Sequence, residues 1–145
     1  MSTAHHSISR WKHRHGIVVW IGIALNLVFA IPLLVAPLWL MGVLGLPLST
    51  AILWPRFAGG LLIILSVFYI PMTVDLDRFR IFAWLAILPS RSFGAVFFLG
   101  AILLNGEPPV YFIAVLIDGG IAIASLFCLI RVSTLEQGVA EGRVT

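Results

Sequence analysis

Charge is scarce in this sequence. Only 10% of its 145 residues are Asp, Glu, Lys or Arg, against about 25% in soluble domains. Cysteine is limited to Cys128, so no disulfide can form within the chain. Its place near the end of the last apolar segment marks it as a buried, inert thiol. Histidine is absent after His15, so no pair of histidines can hold a haem inside a membrane span. No Gly-rich phosphate loop, nucleophile elbow or helical His/Glu metal set occurs. We therefore expect no metal site, no catalytic residue and no cofactor chemistry supplied by this chain alone.

What is present is apolar: 61% of the residues are hydrophobic. A soluble globule of this size cannot hide that much apolar surface, whereas lipid can solvate it. A helical span takes about 20 mostly apolar residues. Four segments qualify, at about 17–38, 51–72, 81–104 and 110–130. Lipid supplies no hydrogen-bond partners, so each segment must satisfy its own backbone as a helix. The expected fold is an all-α, antiparallel four-helix membrane bundle spanning residues 16–131. It is flanked by a basic, His-rich tail (1–15) and a second tail (132–145).

The placement of the few cations orients the chain. Arg10, Lys12 and Arg14 precede the first span, Arg78 and Arg80 join the second to the third, and Arg131 and Arg143 follow the fourth. The other two connections, 47–50 and 105–109, carry no Lys or Arg. By the positive-inside rule, both termini and the 75–80 loop lie in the cytoplasm, which in a bacterial-type cell means an inner-membrane protein. The first span is too long for a signal-peptide core and reads as an uncleaved anchor. The net charge of +3 comes mostly from these flanks. It suits anionic lipid, not nucleic acid.

Local features refine the picture. His5, His6, His13 and His15 lie in the first tail, which is expected to be loose. Trp11 among basic residues reads as an interfacial anchor, and Trp84 and Tyr111 as members of aromatic belts. Pro32 and Pro37 should bend or end the first helix, leaving residues 36–46 as a short separate piece along the interface with Trp39 at headgroup depth. Ser49 or Thr50 is the expected N-cap of the second span.

Three ionisable residues fall inside the spans: Arg56, Arg91 and Asp118. A charge at a helix centre costs roughly 2.5–3.5 kcal/mol on insertion scales, so these residues should pair. Asp118 is expected to meet Arg91, Arg56 or both, with Asn26, Ser66, Ser90 and Ser92 completing its hydrogen bonds. Arg56 lies near a span end and can alternatively snorkel outward. Gly59, Gly60, Gly94, Gly119 and Gly120 beside these charges should let helices approach closely. The cluster reads in two ways. It is either a structural ion pair that fixes helix register, or a site with surplus positive charge for an anionic or carbonyl-bearing ligand such as a quinone headgroup or a lipid phosphate. The shared order Arg56-Phe-Ala-Gly59 and Arg91-Ser-Phe-Gly94 is a trace of an internal repeat or a coincidence.

The chain resembles the DoxX-like superfamily of small four-helix membrane proteins. The resemblance rests on the four-span layout and the Pro-rich stretch from Pro32 to Pro47. It also rests on Arg56-x-x-Gly59-Gly60-Leu-Leu, Arg91-x-x-Gly94 and the acidic Asp118, over roughly residues 17–131. Some members are small subunits of membrane redox systems, including a thiosulfate:quinone oxidoreductase. The resemblance implies a non-catalytic accessory subunit, possessing bound lipid or quinone, with other integral membrane subunits or further copies of itself as partners. The rival expectations are a small transporter or proton/anion conductor working through Arg56, Arg91 and Asp118, and a stand-alone enzyme acting on a lipid-soluble substrate.

Overall fold

The computed structural model describes residues 2–48 and 51–142, and only the backbone of 2–4. Among the described residues it is all helix, with no strand. Four helical stretches are long and apolar enough to cross a membrane: His5–Val35, Leu53–Val74, Arg80–Asn105 and Pro109–Ala140.

Helix α1 (Ser2–Val35) contains Pro32 and stops before Pro37. A proline disfavours helical backbone in the residue before it, and Ala36 accordingly leaves the helix at φ −140° and ψ 59°. Pro37 then opens the short α2 (Pro37–Val43) at a position where its missing N–H costs nothing. Helix α2 ends in a paired-bond turn: Leu46 N–H bonds Met41 O at 2.8 Å and Gly45 N–H bonds Gly42 O at 3.1 Å. Gly45 takes the left-handed φ of +66° that this turn requires. The separate piece after span one is therefore present. The expected Ser49 or Thr50 cap lies outside the described residues.

The first tail differs from expectation, because α1 runs back to Ser2 instead of starting near residue 17. Once a helix is nucleated, each added residue gains a bond at little cost, and this extension is also held in place. Lys12 Nζ lies 2.7 Å from Asp77 and 3.0 Å from Glu136, Ile8 is buried, and Trp11 packs edge-on against Phe127 at 5.5 Å.

Helix α3 (Leu53–Val74) is followed by a turn in which Asp75 Oδ1 accepts the N–H groups of Asp77 and Arg78 at 3.1 and 3.0 Å. The third crossing is composite: α4 (Arg80–Leu85), a π-helical turn (Ala86–Arg91) and α5 (Ser92–Asn105). Pro89 explains the widening, since it has no N–H and its ring crowds the carbonyl four residues earlier. Ser92 closes the turn, with its N–H bonding Ile87 O and its Oγ donating to the same oxygen at 2.8 Å. A 3-10 turn (Pro109–Tyr111) leads into α6 (Phe112–Ala140).

Helix α1 packs along α3 on one side and α6 on the other, and α5 packs along α6. The buried cluster includes Val19, Ile23, Tyr69, Met72, Leu76, Ala83, Ile87 and Leu129. Helix α5 has no buried residue. Large apolar side chains cover the outside instead, including Leu53, Phe57, Phe97, Leu104 and Ile123. That surface suits lipid or a protein partner.

Candidate functional site

Arg91 is the last residue of the π-helical turn, and it is 5% exposed. Its Nη1 lies 2.5 Å from Asp118 Oδ1 on α6. Its Nη2 donates to Gly22 O on α1 at 3.1 Å. The guanidinium carbon sits 5.4 Å from the centre of the Tyr69 ring on α3, within cation–π range. One side chain thus gathers all four spans. The Tyr69 hydroxyl is in turn 2.5 Å from Ser90 Oγ, the residue before Arg91.

Two glycines make the room. A side chain at Gly22 would begin 3.0 Å from Arg91 Nη2, and one at Gly94 would fall on Asp118 Oδ2. The Arg91-x-x-Gly94 spacing therefore has a physical reading: the arginine binds the carboxylate and the glycine one turn later leaves space for it. The similar Arg56-x-x-Gly59 does something else. Gly59 presses on α1, where a Cβ would come 2.8 Å from Ala30 O, while Arg56 is exposed.

The expected cluster is thus corrected in several places. Arg56 does not join Asp118, because it sits in the first turn of α3 beside α2. The expected surplus positive charge is therefore replaced by a one-to-one ion pair. Asn26 does not reach Asp118 either. It is buried one helical turn from Gly22 and donates to Ser66 Oγ at 3.2 Å, while Ser66 donates to Leu62 O at 2.8 Å. Ser90 and Ser92 spend their hydroxyls on Tyr69 and Ile87 O, not on Asp118. A Cβ at Gly119 would lie at ordinary contact distance from Ala95, whereas one at Gly60 or Gly120 would meet no atom of another helix within 4 Å among the described residues.

Sequence reasoning missed Tyr69 and Gly22. Tyr69 follows Ser66 by three residues and Gly22 precedes Asn26 by four, spacings that place each pair on one helix face. It also missed a charged network at the terminal end. Lys12 and Arg80 each bridge Asp77 and Glu136, at 2.7–3.0 Å. The Lys12 ammonium, bonded to Asp77, holds that carboxyl below its usual range. His15 is 1% exposed, and neither ring nitrogen has a hydrogen-bond partner among the described residues. Cys128 is buried, as its position in the sequence suggested.

Beside Arg91 lies a cavity of about 10 Å³, bordered by Val19, Tyr69, Ile87, Ala122 and Ser125. That is the lower limit for a single water. The site can hold a charge pair and at most one water in this conformation. Compared with protein-family models, curated proteins and solved structures, the chain matches none of them.

Proposed function

We propose that this chain is a small, non-catalytic accessory subunit of a larger membrane complex, set in an inner membrane with both termini in the cytoplasm. The observation that carries the proposal is the unequal use of its surfaces. The interior polar site is already filled by its own groups, while the third crossing is only 11% buried along its most apolar stretch and α5 has no buried residue. A surface of that kind is available to partner helices, and lipid or a quinone would sit at the boundary between them. In this reading the Arg91–Asp118 pair fixes the register of the spans. The orientation draws on the cation-poor 105–109 connection and the cation-rich ends. The link to quinone- or cytochrome-dependent redox chemistry draws on the resemblance to DoxX-like proteins alone.

The test is extraction from native membranes in mild detergent, followed by native electrophoresis and identification of bound subunits. Co-migration with a larger integral complex supports the proposal. A chain that remains a homo-oligomer, and carries protons or anions across liposomes, overturns it in favour of the transporter reading. One observation favours that second reading: the Asp118 side chain keeps 21% of its surface exposed, so the residue is not fully enclosed. Loss of flux in Asp118→Asn, with the fold retained, would support it.

A further inference from the structure

Most arginines near the spans have a partner in the fold. Arg91 has Asp118, Arg80 has Asp77 and Glu136, and Arg14, Arg78 and Arg131 lie over the rings of Trp11, Phe79 and Phe127. Arg56 has neither a carboxylate nor a ring among the described residues. It is also the one Lys or Arg between Arg14 and Arg78, so the whole end of the molecule opposite the termini carries a single cation. No ion pair among the described residues joins Arg56 to Glu107, the carboxylate of the 105–109 connection.

The surroundings of Arg56 are built for an amphiphile. The residue is exposed in the first turn of α3. It borders a surface recess of about 260 Å³ whose other walls include Val35, Pro37, Leu38, Trp39 and Ile52. Trp39 and Trp54 are both largely exposed here, as tryptophans at headgroup depth are. A guanidinium at this depth needs an anionic oxygen partner, and the described residues supply none. The bilayer supplies one at that level in every leaflet.

We propose that Arg56 and the recess between α2 and the start of α3 form a binding site for the phosphate of a membrane phospholipid, with preference for an anionic headgroup. The guanidinium fork takes two phosphate oxygens, the recess takes the glycerol and the upper acyl chain, and Trp39 closes one edge. A zwitterionic headgroup is a poorer ligand, because its own ammonium competes for the phosphate. The site rests on the membrane-spanning reading of the chain, and is independent of whether a larger complex is found.

The experiment is native mass spectrometry of the full chain in mild detergent, after exchange into phosphatidylglycerol or phosphatidylcholine. Wild type should retain phosphatidylglycerol preferentially, and millimolar inorganic phosphate should not displace it. Arg56→Gln should lower retention about tenfold, the size of one charge-assisted hydrogen bond, and Arg56→Lys should fall between. Among the described residues no side chain bonds to Arg56, so its loss strands no buried partner there. Trp39→Ala is the independent check. It keeps the charge, and should weaken retention while preserving the preference for phosphatidylglycerol. Equal retention in all four proteins overturns the proposal. So does full displacement by inorganic phosphate, or an Arg56-dependent attachment of a second protein chain in place of lipid.

Discussion

The two ends of this molecule are built on opposite principles. At the end that holds the termini, α1, the 75–79 turn, α4 and α6 are joined by four ion pairs around Lys12, Asp77, Arg80 and Glu136. The apolar cluster includes Leu76, the residue before Asp77, and reaches Ile87 and Ala122 beside Arg91. At the other end α5 has no buried residue, and Arg56, without an ion-pair or ring partner among the described residues, borders a recess. Between the two sits Arg91, held by groups from the other three spans. The lesson is that the chain spends its few charges on fixing its own helices at one end, and leaves the opposite end to be completed by whatever surrounds it.

The sharpest way to break this comparison is to unpair the central charge. Asp118→Ala leaves Arg91 buried without a counter-ion and should cost about 3–5 kcal/mol, read as a large fall in the unfolding midpoint in micelles. The double variant Arg91→Leu/Asp118→Leu should recover much of that loss. A double variant as unstable as the single one would mean that the pair itself, not the stranded charge, carries the stability.

Next in size is the glycine contrast on α3. Gly59→Ala should destabilise by about 1–3 kcal/mol, because the new methyl meets the backbone of α1 and overpacks the contact. Gly60→Ala, one residue on, should be neutral or slightly stabilising, since it faces no neighbour and alanine favours the helix. Equal effects would show that α1 and α3 are not packed as described. A smaller loss is expected from Ser66→Ala, which removes the partner of Asn26. Interhelical hydrogen bonds of this kind average about 0.6 kcal/mol in a membrane, and a thermal-melt series should place it below Gly59→Ala.

The smallest effect is a pH dependence at the terminal end. The Asp77 carboxyl is held below its usual range by the Lys12 ammonium. The stability it adds is therefore fully present above the ordinary carboxylate value, about 3.9, and is lost as pH falls through the lower folded value. The Asp77 side chain is 60% exposed, so screening should hold the effect under about 1 kcal/mol. An acid titration of the midpoint should lose this component in Asp77→Asn, while Asp118→Asn should leave it in place.

Much of the architecture was legible in the residues. Four apolar runs specify four helices able to cross a membrane, and Pro37 marks the break after the first. Asp118 had to find an arginine, Arg91 or Arg56, because a lone charge in a span costs too much. The hydrogen-bond partners were less legible. Asn26, Ser90 and Ser92 have the right chemistry for Asp118, but a hydroxyl or amide serves whichever acceptor its helix face presents. Those faces are set by rotation about helix axes and by the extra width of the π-helical turn at Pro89. The helical tail before residue 17 was hidden for a similar reason. Its polar residues make no apolar stripe, and what orders them is a set of partners 60 or more residues away, such as Asp77 for Lys12.

Sequence by itself determined four helices long and apolar enough to cross a membrane, and that charges inside them need neutralising, because both follow from the cost of placing polar groups in hydrocarbon. Only the tertiary structure decided which arginine pairs with Asp118, which glycines are contacts, and which cation is left facing outward. Those outcomes depend on helix rotation and on a few ångströms of approach between backbones, and no local pattern of residues encodes either.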